Sequence, residues 1–160
     1  MNVLLDQNDN VKLADFGLSK MNFKNTLSSA KMSLCGTIQY LPPEMALGNY
    51  YNETADWWSF GIIIYEMICG KLPFDHDERS IIVKDIVSKE LKFKKIFSEE
   101  AQDLISKLLV KDPKSRLGHD GVGDIMNHEF FKDVDWEELT ATKIERSFSV
   151  KTPKGYSKYC

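Results

Sequence analysis

Two oxygen-bearing side chains, Asn2 and Asp15, bracket a short apolar stretch at the start of the chain. Val3-Leu4-Leu5 and Val11-Lys12-Leu13-Ala14 are strand-like runs, and Gln7-Asn8-Asp9-Asn10 between them reads as a hairpin turn. Such a hairpin sets Asp15 at the exit of the second strand, beside Asn2 at the entrance of the first. A carboxylate and an amide carbonyl fixed at strand ends are two oxygen donors held on a rigid frame. Taken alone, the stretch is read more simply as an edge hairpin with a solvated Asp and Asn. The downstream residues reverse that order. Ser28, Ser29 and Ser33 lie in a polar loop, Glu44 comes after two prolines, Asp56 and Glu66 sit inside a strongly apolar run, and Arg116 precedes Leu117-Gly118.

The elements that must position these groups are set by periodicity and breakers. Residues 18–32 lack periodicity and carry lysines, asparagines and serines, which is loop composition. Pro42-Pro43 stiffens the chain, and a short helix is expected from Pro43 to Leu47, with proline in its first turn and Gly48-Asn49 after it. The run Thr54 to Cys69 is apolar nearly all round, so it predicts a helix buried in a core. With 16 residues and Asp56, Ser59 and Glu66 inside, it is too short and too polar to span a bilayer. Gly70 ends it and Pro73 prevents its resumption. Its β-branched residues make it a poor isolated helix, so packing must hold it.

Further helices are expected over 78–87, with Ile81, Ile82, Ile86 and Val87 as the apolar face, and over 98–110. In the second, Ser98 is placed to cap, Glu99 and Glu100 suit the positive end, and Ala101, Leu104, Ile105, Leu108 and Leu109 form one stripe. Gly118 to Gly123 reads as a loop whose lone Gly-x-Gly lacks the strand and third glycine of a nucleotide fingerprint. A last short helix is expected over 124–131. From Thr140 onward the chain is polar, with a basic tail from Lys143 to Lys158, and is read as extended or disordered.

Composition narrows the class. The 160 residues predict one domain with a real core; 42% hydrophobic and 28% charged residues are ordinary globular values. A net charge of −3 argues against a nucleic-acid partner, which needs a dense basic surface. Cys35, Cys69 and Cys160 form neither a disulfide framework nor a zinc pattern, so a reducing intracellular compartment, the cytoplasm, is expected. The N-terminus lacks the basic flank and apolar length of a signal peptide.

The order of motifs resembles one family. Asn2-Val3-Leu4-Leu5, Asp15-Phe16-Gly17, Cys35-Gly36-Thr37, Pro42-Pro43-Glu44, Asp56-Trp57-Trp58-Ser59-Phe60-Gly61 and Arg116-Leu117-Gly118 are similar to the C-terminal lobe of a eukaryotic serine/threonine protein kinase. The Cys-Gly-Thr, Asp-Trp-Trp-Ser and Arg-Leu-Gly runs resemble the AGC group, the Akt, SGK and protein kinase C relatives. The resemblance implies a mainly α fold: a kinase-lobe fragment with a short β-hairpin at its start, a buried central helix and further packed helices. Residues 1–131 then correspond to a partial kinase domain from the end of the catalytic loop onward, and 132–160 to a remnant of the AGC C-terminal tail.

The same resemblance implies roles. The reaction is transfer of the ATP γ-phosphate to a protein serine or threonine, where positioning and charge neutralisation by magnesium do most of the work. Asp15 and Asn2 become the two magnesium ligands, Phe16 packs under the phosphate site and Gly17 permits the turn. Thr37 matches the threonine that hydrogen-bonds the catalytic base. Leu34, Ile38 and Leu41 match the pocket for the residue after the phosphorylated one; ordinary core packing is their other reading. Ser33 stands at the activation-loop phosphorylation position, implying an upstream activating kinase, and Lys20 matches the lysine that meets its phosphate. Glu44 and Arg116 match a structural ion pair, and Asp56 an acceptor for backbone N–H groups of the catalytic loop. Glu66 matches a carboxylate that meets arginine upstream of the target, so basic protein substrates are expected.

Other family features do not occur in these 160 residues. No Gly-x-Gly-x-x-Gly, no Val-Ala-Ile-Lys and no His-Arg-Asp is present, and Ile144-Glu145-Arg146-Ser147-Phe148 stands where the tail would carry prolines. The expectation is that the chain by itself is inactive. The alternative to part of an enzyme is a non-catalytic binding module that presents its activation segment without turnover.

Overall fold

The computed structural model describes residues 2–7, 10–17 and 37–141. It opens with the hairpin. Strands β1 (Val3–Leu5) and β2 (Val11–Leu13) pair antiparallel, with Val3 opposite Leu13, Leu4 opposite Lys12 and Leu5 opposite Val11. The ladder continues one step outward, where Ala14 N–H donates to the Asn2 carbonyl at 2.8 Å. At the other end Asp6 closes the turn by accepting from the Asn10 backbone at 2.9 Å. The apolar side chains of this two-stranded unit stand exposed, from 44% at Val3 to 66% at Leu13.

The rest is helical: a 3-10 turn over Ile38–Tyr40, then α1 (Pro43–Ala46), α2 (Thr54–Cys69), α3 (Arg79–Ser88), α4 (Glu99–Leu108), α5 (Gly123–Met126), a second 3-10 turn over Glu129–Phe131 and α6 (Trp136–Ala141). Together with the hairpin this is the mainly α architecture that the sequence leads one to expect. No helix among the described residues is long and apolar enough to cross a membrane.

Helix α2 is the centre. Trp58 and Ile62 are completely buried, and around them close Phe74, Ile82, Ile86, Phe97, Leu104, Ile105 and Leu108. Helix α4 lies against α2 at Gly61, where an added Cβ would stand only 3.0 Å from the Leu108 Cβ. Helix α2 ends as its sequence dictates: Gly70 takes φ 68 and its N–H returns to the Glu66 carbonyl at 2.7 Å. Helix α4 begins with the Ser98 hydroxyl accepting from Ala101 N–H at 3.2 Å. Full burial is not uniform along α2, since Met67 is 79% exposed.

The structure corrects the C-terminal expectation. Residues 124–131 do not form one helix. Helix α5 stops at Met126, and His128 turns the chain: its Nδ1 accepts from Phe130 N–H at 3.2 Å and starts the 3-10 turn. His128 Nε2 reaches Asp103 of α4 at 2.9 Å, so this buried ring bolts the turn to the core. Residues 136–141 form helix α6, whose last two positions fall where the sequence reads as extended or disordered from Thr140 onward. The Asp135 carboxylate caps it through Glu138 N–H at 2.9 Å, and Trp136 Nε1 ties it to the Met126 carbonyl at 3.1 Å.

Candidate active-site elements

The hairpin register brings Asp15 next to the Asn2 end of β1, because Ala14 is the last residue bonded across. Asp15 has φ 61, the only positive φ among the described non-glycine residues. The left-handed region costs an L-residue about 1–2 kcal/mol, least for Asp and Asn, and such backbone collects at functional sites. The Asp15 Oδ1 accepts from Gly17 N–H at 3.4 Å, and a Cβ on Gly17 would stand 3.3 Å from that same oxygen. Asn2, Asp15, Phe16 and Gly17 are all exposed. The donors available are a carboxylate and an amide oxygen, a set that suits a magnesium ion completing its shell with water and phosphate oxygens.

A second group of residues lies where the chain after Gly36 meets α2. Thr37 is exposed and precedes the first 3-10 turn, and Ile38 is buried in the core cluster. Leu41 packs partly buried against the same cluster. Two bonds fasten this turn to α2: the Ser59 hydroxyl donates to the Tyr40 carbonyl at 2.9 Å, and the Tyr40 hydroxyl donates to Glu66 Oε2 at 2.6 Å. The hydrogen bond to Glu66, with burial and the nearby negative charge, pushes the Tyr40 phenol up to about 12. Ser33, Lys20 and Leu34 lie outside the described residues.

Glu44, one residue into α1, meets Arg116 in a two-pronged pair: Nη1 to Oε1 at 2.8 Å and Nη2 to Oε2 at 2.9 Å. Both are buried, Arg116 at 1% exposure and Glu44 at 5%. The guanidinium spends its other donors on the carbonyls of Thr54 at 2.9 Å and Val110 at 3.1 Å, and lies 5.2 Å above the Trp58 ring. A buried charge pair holds only when its remaining donors are satisfied, and here they are. The fork therefore joins α1, the start of α2 and the loop after α4 at one point.

Asp56 is exposed in the first turn of α2, and its side chain has no hydrogen bond or ion pair among the described residues. Partial desolvation pushes its carboxyl above the usual range. Three residues of the site carry no role from sequence: Tyr40, Ser59 and Thr54. Their contacts run across 26, 19 and 62 residues, separations at which spacing carries no signal.

Comparison with known proteins agrees with the motifs. The protein kinase domain model matches residues 1–131. The chain is 42% identical over 147 residues to the serine/threonine-protein kinase gad8 of Schizosaccharomyces pombe, covering 92% of this chain and 26% of that protein. It is 41% identical over 149 residues to the RAC serine/threonine-protein kinase of Drosophila melanogaster, covering 92% and 24%. With the cAMP-dependent protein kinase type 3 of Saccharomyces cerevisiae it shares 39% over 156 residues, covering 96% and 38%. The chain thus spans between about a quarter and two-fifths of the length of these relatives. By the family match and these identities, the chain belongs to the protein kinases, in the AGC serine/threonine group.

Proposed function

We propose that this chain is the substrate-side part of a serine/threonine kinase that moves the γ-phosphoryl group of ATP onto a protein hydroxyl. Asp15 and Asn2 hold the magnesium ion, which when bound neutralises charge on the phosphates. Phe16 and Gly17 shape the turn beneath the phosphates. Thr37 orients the catalytic base, which belongs to a His-Arg-Asp absent from these 160 residues. Ile38 and Leu41, with Leu34, receive the residue after the target, and Glu66 receives an upstream arginine. Ser33 is the activating phosphosite, met by Lys20 and loaded by an upstream kinase. The Glu44–Arg116 fork anchors the segment, and Asp56 accepts the backbone of the catalytic loop. The chain alone does not turn over.

The observation that carries this reading is Asp15 in the left-handed region at the open end of the hairpin, beside Asn2. The test is a graft: residues 2–141 replace the matching segment of the Drosophila relative, and radiolabelled γ-phosphate transfer to an arginine-bearing serine peptide is measured. Transfer is expected. A folded graft that binds ATP and transfers nothing would overturn the proposal.

A further inference from the structure

A surface cavity of about 300 Å³ lies between the end of α3 and helix α4, away from the hairpin and the Tyr40–Glu66 pair. Val87, Leu91 and Leu109 give it apolar walls, and Ser88, Lys89, Glu90, Ser106 and Lys111 give it polar edges. Lys111 is the unusual member. Its ammonium donates to the Ile86 carbonyl at 2.6 Å, one of the last carbonyls of α3, which have no partner within their own helix. It also stands 4.5 Å from the Phe74 ring centre and 5.0 Å from that of Trp58, both completely buried. Lys111 thus joins a helix end, an aromatic wall and a cavity of mixed polar and apolar lining.

We propose that Lys111 is an acyl-acceptor site, its amine taking a short acyl group from a thioester donor into this cavity. The free amine attacks the thioester carbonyl carbon, the C–S bond breaks, and the thiolate leaves with the proton that Nζ loses. The product exchanges the cation's contacts with the Phe74 and Trp58 rings for apolar burial of the acyl chain. The amide keeps one N–H for Ile86, so the end of α3 stays capped. A partly buried cation becomes a neutral group, and the acyl chain lies against Val87, Leu91 and Leu109.

The electrostatics act in the same direction. Burial pushes the Lys111 ammonium down to about 8; Asp85 of α3 opposes this and the neighbouring Arg116 adds to it. Asp85 is itself paired with Lys89, Arg116 is paired with Glu44, and Glu90 is the remaining charged group lining the cavity. At pH 7.5 an ordinary lysine is about 0.1% free amine, whereas one titrating at about 8 is about one-quarter free. Lower basicity makes each free amine a weaker nucleophile, so the net advantage is about tenfold.

The test uses the full chain with acetyl-coenzyme A and butyryl-coenzyme A as probes, from pH 6.5 to 10. Peptide mapping by mass spectrometry tracks Lys111 against the exposed Lys84, Lys92, Lys94 and Lys114. Lys111 is expected to react about tenfold faster at pH 7.5, with its rate levelling near pH 8 while the others still rise. Ser106→Phe, an exposed position on α4 that fills the cavity mouth, is expected to slow Lys111 alone. In 6 M guanidinium the advantage is expected to vanish. A Lys111 rate no greater than that of the exposed lysines, a rate indifferent to Ser106→Phe, or an advantage that survives denaturation would each overturn the proposal.

Discussion

The Tyr40 hydroxyl donates to the Glu66 carboxylate at 2.6 Å, joining the 3-10 turn after Thr37 to the last turns of α2. A hydrogen bond to a charged acceptor contributes more than one between neutral groups. Tyr40→Phe is expected to lower stability by about 1–2 kcal/mol in urea unfolding. The direction of the shift sets the pH dependence. The folded phenol titrates at about 12, above its ordinary value of about 10, so the bond contributes fully below 10 and is lost as pH rises through 12. Absorbance titration should show two late phenolate steps, since burial also raises Tyr65, and Tyr40→Phe should remove the one at about 12. An unchanged step at about 12 in that variant would refute the assignment.

The same bond fixes where the Glu66 carboxylate points. In the graft, Glu66→Ala is expected to raise KM for an arginine-bearing peptide by about tenfold, about 1.4 kcal/mol. The matched alanine peptide should be unaffected. Equal losses on both peptides would show that Glu66 supports the fold and not recognition.

Arg116→Met leaves Glu44 charged, buried and alone, and deprives the Thr54 and Val110 carbonyls of a donor. The expected cost is about 3–5 kcal/mol. Adding Glu44→Leu should return part of that loss, because an uncompensated charge is then no longer buried. Denaturation of the two single variants and the double variant measures the coupling. Simple additivity would mean that the fork geometry contributes nothing beyond its parts.

Gly118 and Gly70 both have positive φ, 89 and 68, but in different company. A Cβ at Gly118 would stand 2.6 Å from Trp57 Cδ1 and 2.8 Å from Ile125 Cδ1, whereas at Gly70 it meets nothing within 4 Å. Gly70→Ala should therefore cost only the left-handed backbone penalty, about 1–2 kcal/mol. Gly118→Ala adds a clash and should cost about 2–4 kcal/mol. Thermal unfolding that ranked them in the opposite order would contradict this packing.

Much of this architecture is legible from local chemistry. Thr54–Cys69 announces itself by an apolar run closed by Gly70, and α4 by Ser98 and one stripe. The hairpin is visible as two short runs around a polar turn. Legibility fails where a single side chain overrides the local pattern. His128 breaks the expected last helix because its ring caps Phe130 and reaches Asp103, 25 residues back. Helix α6 is too short to show a period and depends on Trp136 finding the Met126 carbonyl. The family motifs name Glu44, Arg116 and Glu66, but not the partners that orient them. Thr54, Val110 and Tyr40 emerge only when the chain is folded.

Asp15 is the residue on which the functional reading turns, and its exchange for asparagine is the most direct measurement. Asp15→Asn keeps the shape, tolerates the same backbone and removes only the charge that a magnesium ion needs. In the graft, kcat/KM for γ-phosphate transfer should fall at least about 100-fold, about 2.7 kcal/mol of transition-state stabilisation, with the melting temperature unchanged. A graft that transfers phosphate equally well with aspartate or asparagine at position 15 would contradict the account.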